Sequence, residues 1–198
     1  MAIVFDSDAG TITGISVGGL PDGIVDSGTL ATNSVDSAEL IDGAIDTAHI
    51  AADQITSAIL PAGSVLQVVQ AISNTQTNPT NSWTSVSSAT IAITPSATSS
   101  KILYIYNAPG FVTDTGTHGL ILKLLRGSTQ IRRTNRWGYF AGSGHAPANI
   151  TFMYLDSPST TSEVTYYINA AEEVSGGWEI NSEPETAGAV VIAMEIAG

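Results

Sequence analysis

The chain has no cysteine, only six lysines and arginines among its 198 residues, and no long apolar run. Without cysteine there is neither a disulfide framework nor a thiolate metal site. Residues 1 to 100 hold nine acids and no Lys or Arg, while residues 101 to 198 hold six cations and nine acids, a split of −9 and −3 within a net charge of −12. Phosphate binding needs clustered cations, so direct nucleic-acid binding is disfavoured. The opening Met1-Ala2-Ile3-Val4-Phe5-Asp6 has no cation ahead of a long apolar stretch, so neither a signal peptide nor membrane insertion is expected.

Signatures of catalysis are also missing. No GxSxG elbow, P-loop, HExxH or dinucleotide fingerprint occurs. His49, His118 and His145 are scattered; Asp114 and His118 stand four apart, but Gly116 and the neighbouring threonines make that stretch a turn. Glu172-Glu173 and Glu183-Pro184-Glu185 are read as solvated surface acids. The expectation is a protein that is not an enzyme and carries no cofactor and no metal. The acids Asp22, Asp26, Asp36, Asp42, Asp46 and Asp53 lack the dense spacing of an EF-hand loop and read as water-facing turn caps.

What the chain does have is a phrase written four times in ten-residue register. The copies are Val25-Asp26-Ser27-Gly28-Thr29-Leu30, Val35-Asp36-Ser37-Ala38-Glu39-Leu40, Ile45-Asp46-Thr47-Ala48-His49-Ile50 and Ile55-Thr56-Ser57-Ala58-Ile59-Leu60. Repetition of this kind marks a unit that cannot bury its apolar groups alone. The aliphatics Val25, Leu30, Val35, Leu40, Ile45, Ile50, Ile55 and Leu60 recur every fifth residue. Five helical steps turn a side chain by roughly 140°, so no helical stripe forms, and five strand steps put successive aliphatics on opposite faces. Each unit must therefore bend. Asp36-Ser37 and Asp46-Thr47 have the chemistry of helix N-caps, and Asn33, Gly43 and Asp53 suit a tight corner. One thread offers about two large apolar groups per ten residues, too few against an ordering entropy of about 1–2 kcal/mol per residue. Three threads around one axis would pool them. A homotrimeric shaft with these eight aliphatics facing the axis is expected; the alternative, a disordered acidic linker, does not account for their regular spacing.

Ahead of the repeats, Ile3-Val4-Phe5 and Thr11-Ile12-Thr13-Gly14-Ile15-Ser16-Val17 flank a turn and read as a small hairpin. A lone hairpin is marginal in water, so Ile3, Val4, Phe5, Ile12, Ile15 and Val17 are expected to anchor the chain to sister chains or to another protein. After Leu60-Pro61, Ala62-Gly63 reads as a flexible joint. Beyond it, strands are expected over Ser64 to Ile72, Trp83 to Thr94, Lys101 to Asn107, His118 to Arg126, Gln130 to Phe140, Asn149 to Leu155, Glu163 to Ala170 and Ala189 to Ile196, separated by Gly, Pro, Asn, Ser and Thr. The fold class is thus all-β, in three parts: an anchoring segment 1–24, a shaft 25–63, and an antiparallel β-sandwich knob 64–198 of jelly-roll type.

Within the knob, Lys123, Arg126, Arg132, Arg133 and Arg136 fall inside fourteen residues. If 123–126 pairs with 129–133 across Gly127-Ser128-Thr129, like charges meet and need carboxylates, for which Glu172, Glu173, Glu183 and Glu185 are the candidates. Trp137, Tyr139 and Phe140 precede the Gly142-Ser143-Gly144-His145 loop, and Trp178 follows Gly176-Gly177. Such aromatics, with Arg132, Arg133 and Arg136, are candidates for contact with a receptor or a sister subunit; the plainer role is filling the sandwich.

Several phrases also resemble a known class. Gly10-Thr11-Ile12-Thr13-Gly14-Ile15, Gly19-Leu20-Pro21-Asp22-Gly23, the Val35-Asp36-Ser37-Ala38-Glu39-Leu40 repeats, Gly63-Ser64-Val65-Leu66-Gln67-Val68-Val69-Gln70 and Ile93-Thr94-Pro95-Ser96-Ala97-Thr98-Ser99-Ser100-Lys101-Ile102-Leu103 are similar to fibre proteins of tailed bacteriophages, marine ones especially. The resemblance implies a non-enzymatic homotrimer in the virion, held to a capsid or tail protein by its N-terminus. A tail mount implies host adsorption through a surface glycan or protein, and a head mount implies capsid decoration. A carbohydrate-binding module is the alternative of a different class. Replacing Val35, Leu40, Ile45 and Ile50 by Ser is expected to lower the melting temperature and the trimer fraction; an unchanged melting curve and oligomer mass would rule out axis-facing aliphatics.

Overall fold

The computed structural model describes residues 4–8, 11–13, 40, 45, 48–51, 54–56, 59–112, 116–136, 138–142, 146–174, 177–181 and 188–198. By contact the chain divides into two units, Met1–Gln54 and Ile55–Gly198. In the first, β1 (Val4–Asp6) and β2 (Thr11–Thr13) pair antiparallel with Phe5 opposite Ile12. Val4, Phe5 and Ile12 of the expected anchor lie in this ladder; Ile3, Ile15 and Val17, and Val25, Leu30 and Val35 of the repeat, lie outside the described residues. Leu40, Ile45 and Ile50 are exposed. In the second unit Ile55 and Ile59 are exposed and Leu60 is half-buried.

Ten strands form the second unit: β3 (Val65–Ser73), β4 (Thr84–Ile93), β5 (Lys101–Val112), β6 (Gly116–Arg126), β7 (Thr129–Arg133), β8 (Gly138–Gly142), β9 (Ala146–Asp156), β10 (Val164–Glu172), β11 (Trp178–Ile180) and β12 (Ala189–Ile196). No helix occurs among the described residues. Every pairing between strands is antiparallel: β3 with β12, β4 with β10, β5 with β9, β6 with β7. These pairs nest, so the chain runs as one long hairpin folded over on itself. Pairing of β12 with β5 and of β10 with β6 then closes two sheets, β3-β12-β5-β9 and β4-β10-β6-β7. That is jelly-roll topology. β11 extends the first sheet along the far end of β5, and β8 the second along the near end of β6.

Three departures from the sequence reading have local causes. Gln130 to Phe140 is two strands, because Thr134 leaves the ladder: its N–H donates to Leu122 O (2.8 Å) and its Oγ1 accepts from Leu122 N (3.0 Å). A side chain thus replaces backbone at the break, and β7 and β8 flank it on β6. β5 continues past Asn107 through Pro109, which falls at the seam between β12, ending its pairing at Asn107, and β11, starting at Gly110. The expected flexible joint is pinned instead, with Gly63 N donating to Ala197 O at 2.8 Å and Ser64 N to Pro61 O at 3.1 Å. Gly63 sits at φ 90, which a side chain would disfavour.

The core follows from alternation. β5 buries Ile102, Tyr104, Tyr106, Ala108 and Val112, and β12 buries Ala189, Val191 and Ala193, each every second residue. From the other sheet come Val86, Ile91 and Ile93, Leu120, Leu122 and Leu124, and Tyr166, Ile168 and Ala170. Full burial of each large side chain contributes about 1.5–3 kcal/mol.

Three tyrosines cross the sandwich. Tyr104 Oη donates to Ala89 O (2.6 Å) and Tyr106 Oη shares a hydrogen bond with Ser88 Oγ (2.9 Å), both from β5 to β4. Tyr166 Oη of β10 donates to Asp156 Oδ2 of β9 (2.8 Å), which also accepts from Arg126 Nη1 of β6 at 2.7 Å. Burial pushes the Tyr106 hydroxyl up to about 12 against a weak opposing effect of its Ser88 bond. Burial raises Tyr104 and Tyr166 well above 10, helped for Tyr166 by donation to Asp156.

In the same row of the β3-β12-β5-β9 sheet as Asp156, two strands away across Ile102, Glu195, fully buried, is caged. Gln67 Nε2 donates to its Oε2 (2.6 Å), while Ser96 N (2.6 Å), Ser96 Oγ (2.7 Å) and Ser100 Oγ (2.6 Å) donate to Oε1. Burial alone would raise its pKa, but these donors together hold it below the ordinary 4.5.

Both sets of groups set limits in pH. The tyrosines, with raised pKa, contribute fully below pH 10, and that stability is lost as pH rises from 10 through 12. Tyrosinate absorbance is expected to appear together with loss of the β-sheet circular dichroism signal; complete ionisation of all six tyrosines with the sheets intact would contradict this. Glu195, with lowered pKa, contributes above 4.5 and loses that contribution as pH falls below it. Glu195→Gln is expected to cost about 1–3 kcal/mol in denaturant melts at pH 7 and to flatten the acid limb; equal pH dependence in both proteins would show the cage to be inert.

Candidate functional site

With both inner faces spent on the core, chemistry is left to the outer faces, and the two differ. On β3-β12-β5-β9 the register aligns Val68, Met194, Leu103 and Leu155 in one row, and Gln70, Ile192, Ile105 and Met153 in the next. Val65 and Ile196 extend the apolar area on one side, Ile72 and Val190 on the other. Val65, Val68, Ile72, Met153 and Leu155 are 48% to 66% exposed. At standard strand spacing, the two complete rows and the β3–β12 halves of the two flanking rows cover on the order of 400 Å2 in plan. An apolar patch of this size is comparable to the largest one on a typical monomer, which is often a functional surface. A polar margin ends it, where Asn107 Nδ2 donates to Asn149 Oδ1 and Thr151 Oγ1, both at 2.8 Å.

The outer face of β4-β10-β6-β7 is cationic and aromatic. One row reads Ser85, Asn169, Lys123 and Arg133, so the like charges foreseen from the sequence do meet across the β6–β7 pair. Gly127, at φ 54, makes that tight turn. What faces those charges is Trp83: Lys123 Nζ lies 4.2 Å and Arg133 Cζ 5.3 Å from its ring centroid. Trp83 is 38% exposed.

The expected carboxylates go elsewhere. Glu172 is buried, with Oε1 accepting from Trp178 N (2.5 Å) and Oε2 from Gly177 N (3.3 Å). Glu173 pairs with Arg136 (Nε to Oε1, 2.8 Å), and Arg126 pairs with Asp156 rather than with a neighbour across the turn. Glu183 and Glu185 lie outside the described residues. Arg132 is exposed, opposite Leu124.

Among the candidate aromatics, Trp178 is corrected to a core residue, 4% exposed, because the short strand β11 turns it inward. Trp137 and the side chains of Tyr139 and Phe140 lie outside the described residues; the Tyr139 and Phe140 backbones pair with Gly119 and His118 in the β6–β8 ladder. Trp83 was not singled out by the sequence, since its partners stand 40 and 50 residues away. A tryptophan opening a strand carries no local sign of that meeting.

The carboxylate pair Glu172-Glu173 is split by the strand alternation, one side chain inward on backbone N–H groups and the other outward on an arginine, so the two share no substrate space. His118 is buried, its Nδ1 3.3 Å from Val174 O, and Gly177 packs so close that a Cβ there would overlap the ring. Among the described residues no group of three His, Asp or Glu stands together to hold a metal.

No protein-family model and no curated protein matches the chain. Among solved structures, it is similar to that of the infectious bursal disease virus Gx strain, with 12% identity, a TM-score of 0.41, and coverage of 69% of this chain and 34% of the other. It is also similar to the VP2 subviral particle of that virus, with 13% identity, a TM-score of 0.33, and coverage of 67% and 37%. Dimeric latent PorU from Porphyromonas gingivalis aligns with 10% identity, a TM-score of 0.33, and coverage of 73% and 14%. The chain spans about a third of the length of the virus structures it matches.

Proposed function

We propose that this chain is a structural fibre of a bacteriophage virion: a homotrimer whose N-terminal segment docks on a capsid or tail protein, whose repeats form a thin shaft, and whose jelly roll is a terminal knob. The observation that carries the reading is the apolar outer face of β3-β12-β5-β9. Its occupant is a second copy of the same chain. The edge strand β3 begins five residues after Leu60, and the last repeat supplies exposed Ile55 and Ile59 immediately before the exposed Val65, Val68 and Ile72. A chain that gathers three threads around an axis delivers three such faces to the same place, so one association covers both sets of side chains. Standard interfaces bury about 800 Å2 per partner, and this patch supplies an apolar core of the right order within its polar margin.

The role is architectural and adhesive, without catalysis. On a tail the knob would serve host adsorption; on a head it would decorate the shell. The resemblance of several phrases to phage fibre proteins supports a virion setting over a free carbohydrate-binding module, which needs no ten-residue repeat.

Sedimentation of the full chain is expected to give three times the protomer mass of 20.4 kDa. Val68→Asp with Met153→Asp, both at exposed positions, is expected to shift the knob toward monomer while leaving the β-sheet spectrum intact. A monomeric wild type, or a double variant that stays trimeric, would overturn the interface assignment.

A further inference from the structure

The cluster of Trp83, Lys123 and Arg133 has features that neither folding nor trimer assembly explains. Like charges placed opposite each other in a sheet are destabilising, and this chain has 18 acids against six cations with which to neutralise them. Yet among the described ion pairs the arginines held by carboxylates are Arg126 and Arg136. Lys123 and Arg133 instead converge on one indole, each contact offsetting about 0.5–1 kcal/mol at an exposed site. Two cations aimed at one spot beside a part-exposed indole make a preorganised receptor for a ligand that has negative charge and an apolar face.

We propose that this outer face of β4-β10-β6-β7, centred on Trp83, binds an acidic saccharide, one bearing carboxylate or sulfate groups. Lys123 and Arg133 take the acid group through charge-assisted hydrogen bonds, with the planar guanidinium suited to a bidentate contact. The exposed part of the Trp83 ring packs on the apolar C–H face of a pyranose. A nucleic acid would bring many phosphates against a chain of net charge −12 and is disfavoured. The site lies on the sheet opposite the apolar face, so a trimer joined through that face leaves it open. It also does not depend on the trimer: binding measured on a monomeric chain would sink the fibre reading and leave the saccharide site standing.

The test is calorimetric titration of the full chain, in buffer of low ionic strength, with trigalacturonate and with a sulfated heparin hexasaccharide. Cellotriose serves as the uncharged counterpart; acetate and inorganic sulfate serve as free anions. Saturable binding of at least one acidic oligosaccharide is expected, at least tenfold tighter than cellotriose and than the matching free anion. Lys123→Gln with Arg133→Gln should weaken it tenfold or more and flatten its salt dependence; Trp83→Ala should weaken it without changing the salt dependence. Should Trp83→Ala fail to fold, the surface double variant decides. Failure of both oligosaccharides to bind, equal binding of the free anions, or unchanged binding in the double variant would each overturn the site.

Discussion

Three phenol groups set how the two sheets face each other. Tyr104, Tyr106 and Tyr166 each start on one sheet and end on a polar group of the other, so the sheets are tied by direction as well as by apolar burial. Sheet-on-sheet packing by aliphatics alone tolerates sliding; a buried hydroxyl without its acceptor costs about 1–3 kcal/mol, which penalises every other registry. The Arg126–Asp156 pair adds a charge to the Tyr166 tie and closes the end of the sandwich where β6, β9 and β10 meet. At the same end, on the other side of β5, the Glu195 cage joins β12 to β3 and to the β4–β5 turn.

Because the interior is saturated in this way, function falls to the surfaces, and alternation assigns them. In β5 and β12 the residues between the buried ones are Leu103, Ile105, Ile192 and Met194, apolar where a free sheet face would be polar. In β6 and β7 the outward positions carry Lys123 and Arg133. One jelly roll thereby carries an apolar face and a cationic, aromatic face back to back. The two faces belong to different sheets, so a side-chain change on one does not touch the other.

Much of the strand layout was legible. Ala189 to Ile196 and the starts of the strands at Lys101 and Val65 follow from alternation and from the Gly-, Ser- and Pro-rich breaks around them. What escaped had nonlocal causes. Thr134 splits a β-prone run only because its hydroxyl meets Leu122, and three-residue β11 is too short for a period to show. The cation cluster was visible, but its neutralisation was not: carboxylates at 172 and 173 are adjacent in sequence and turned to opposite sides in space, and the group that meets Lys123 and Arg133 is an indole 40 residues upstream.

The sequence by itself determined the class: no cysteine, an acidic N-terminal half without a cation, a ten-residue repeat and short alternating segments leave an all-β chain built with a repetitive extension. These are properties of composition and period, which the unfolded chain already has. Only the tertiary structure decided which tryptophan is buried and which is open, and where a glutamate spends its charge. It also decided which of two sheet faces stays apolar. Those outcomes depend on strand pairs up to 131 residues apart, as when Ile196 comes to lie against Val65, and no local pattern encodes the partner at that distance.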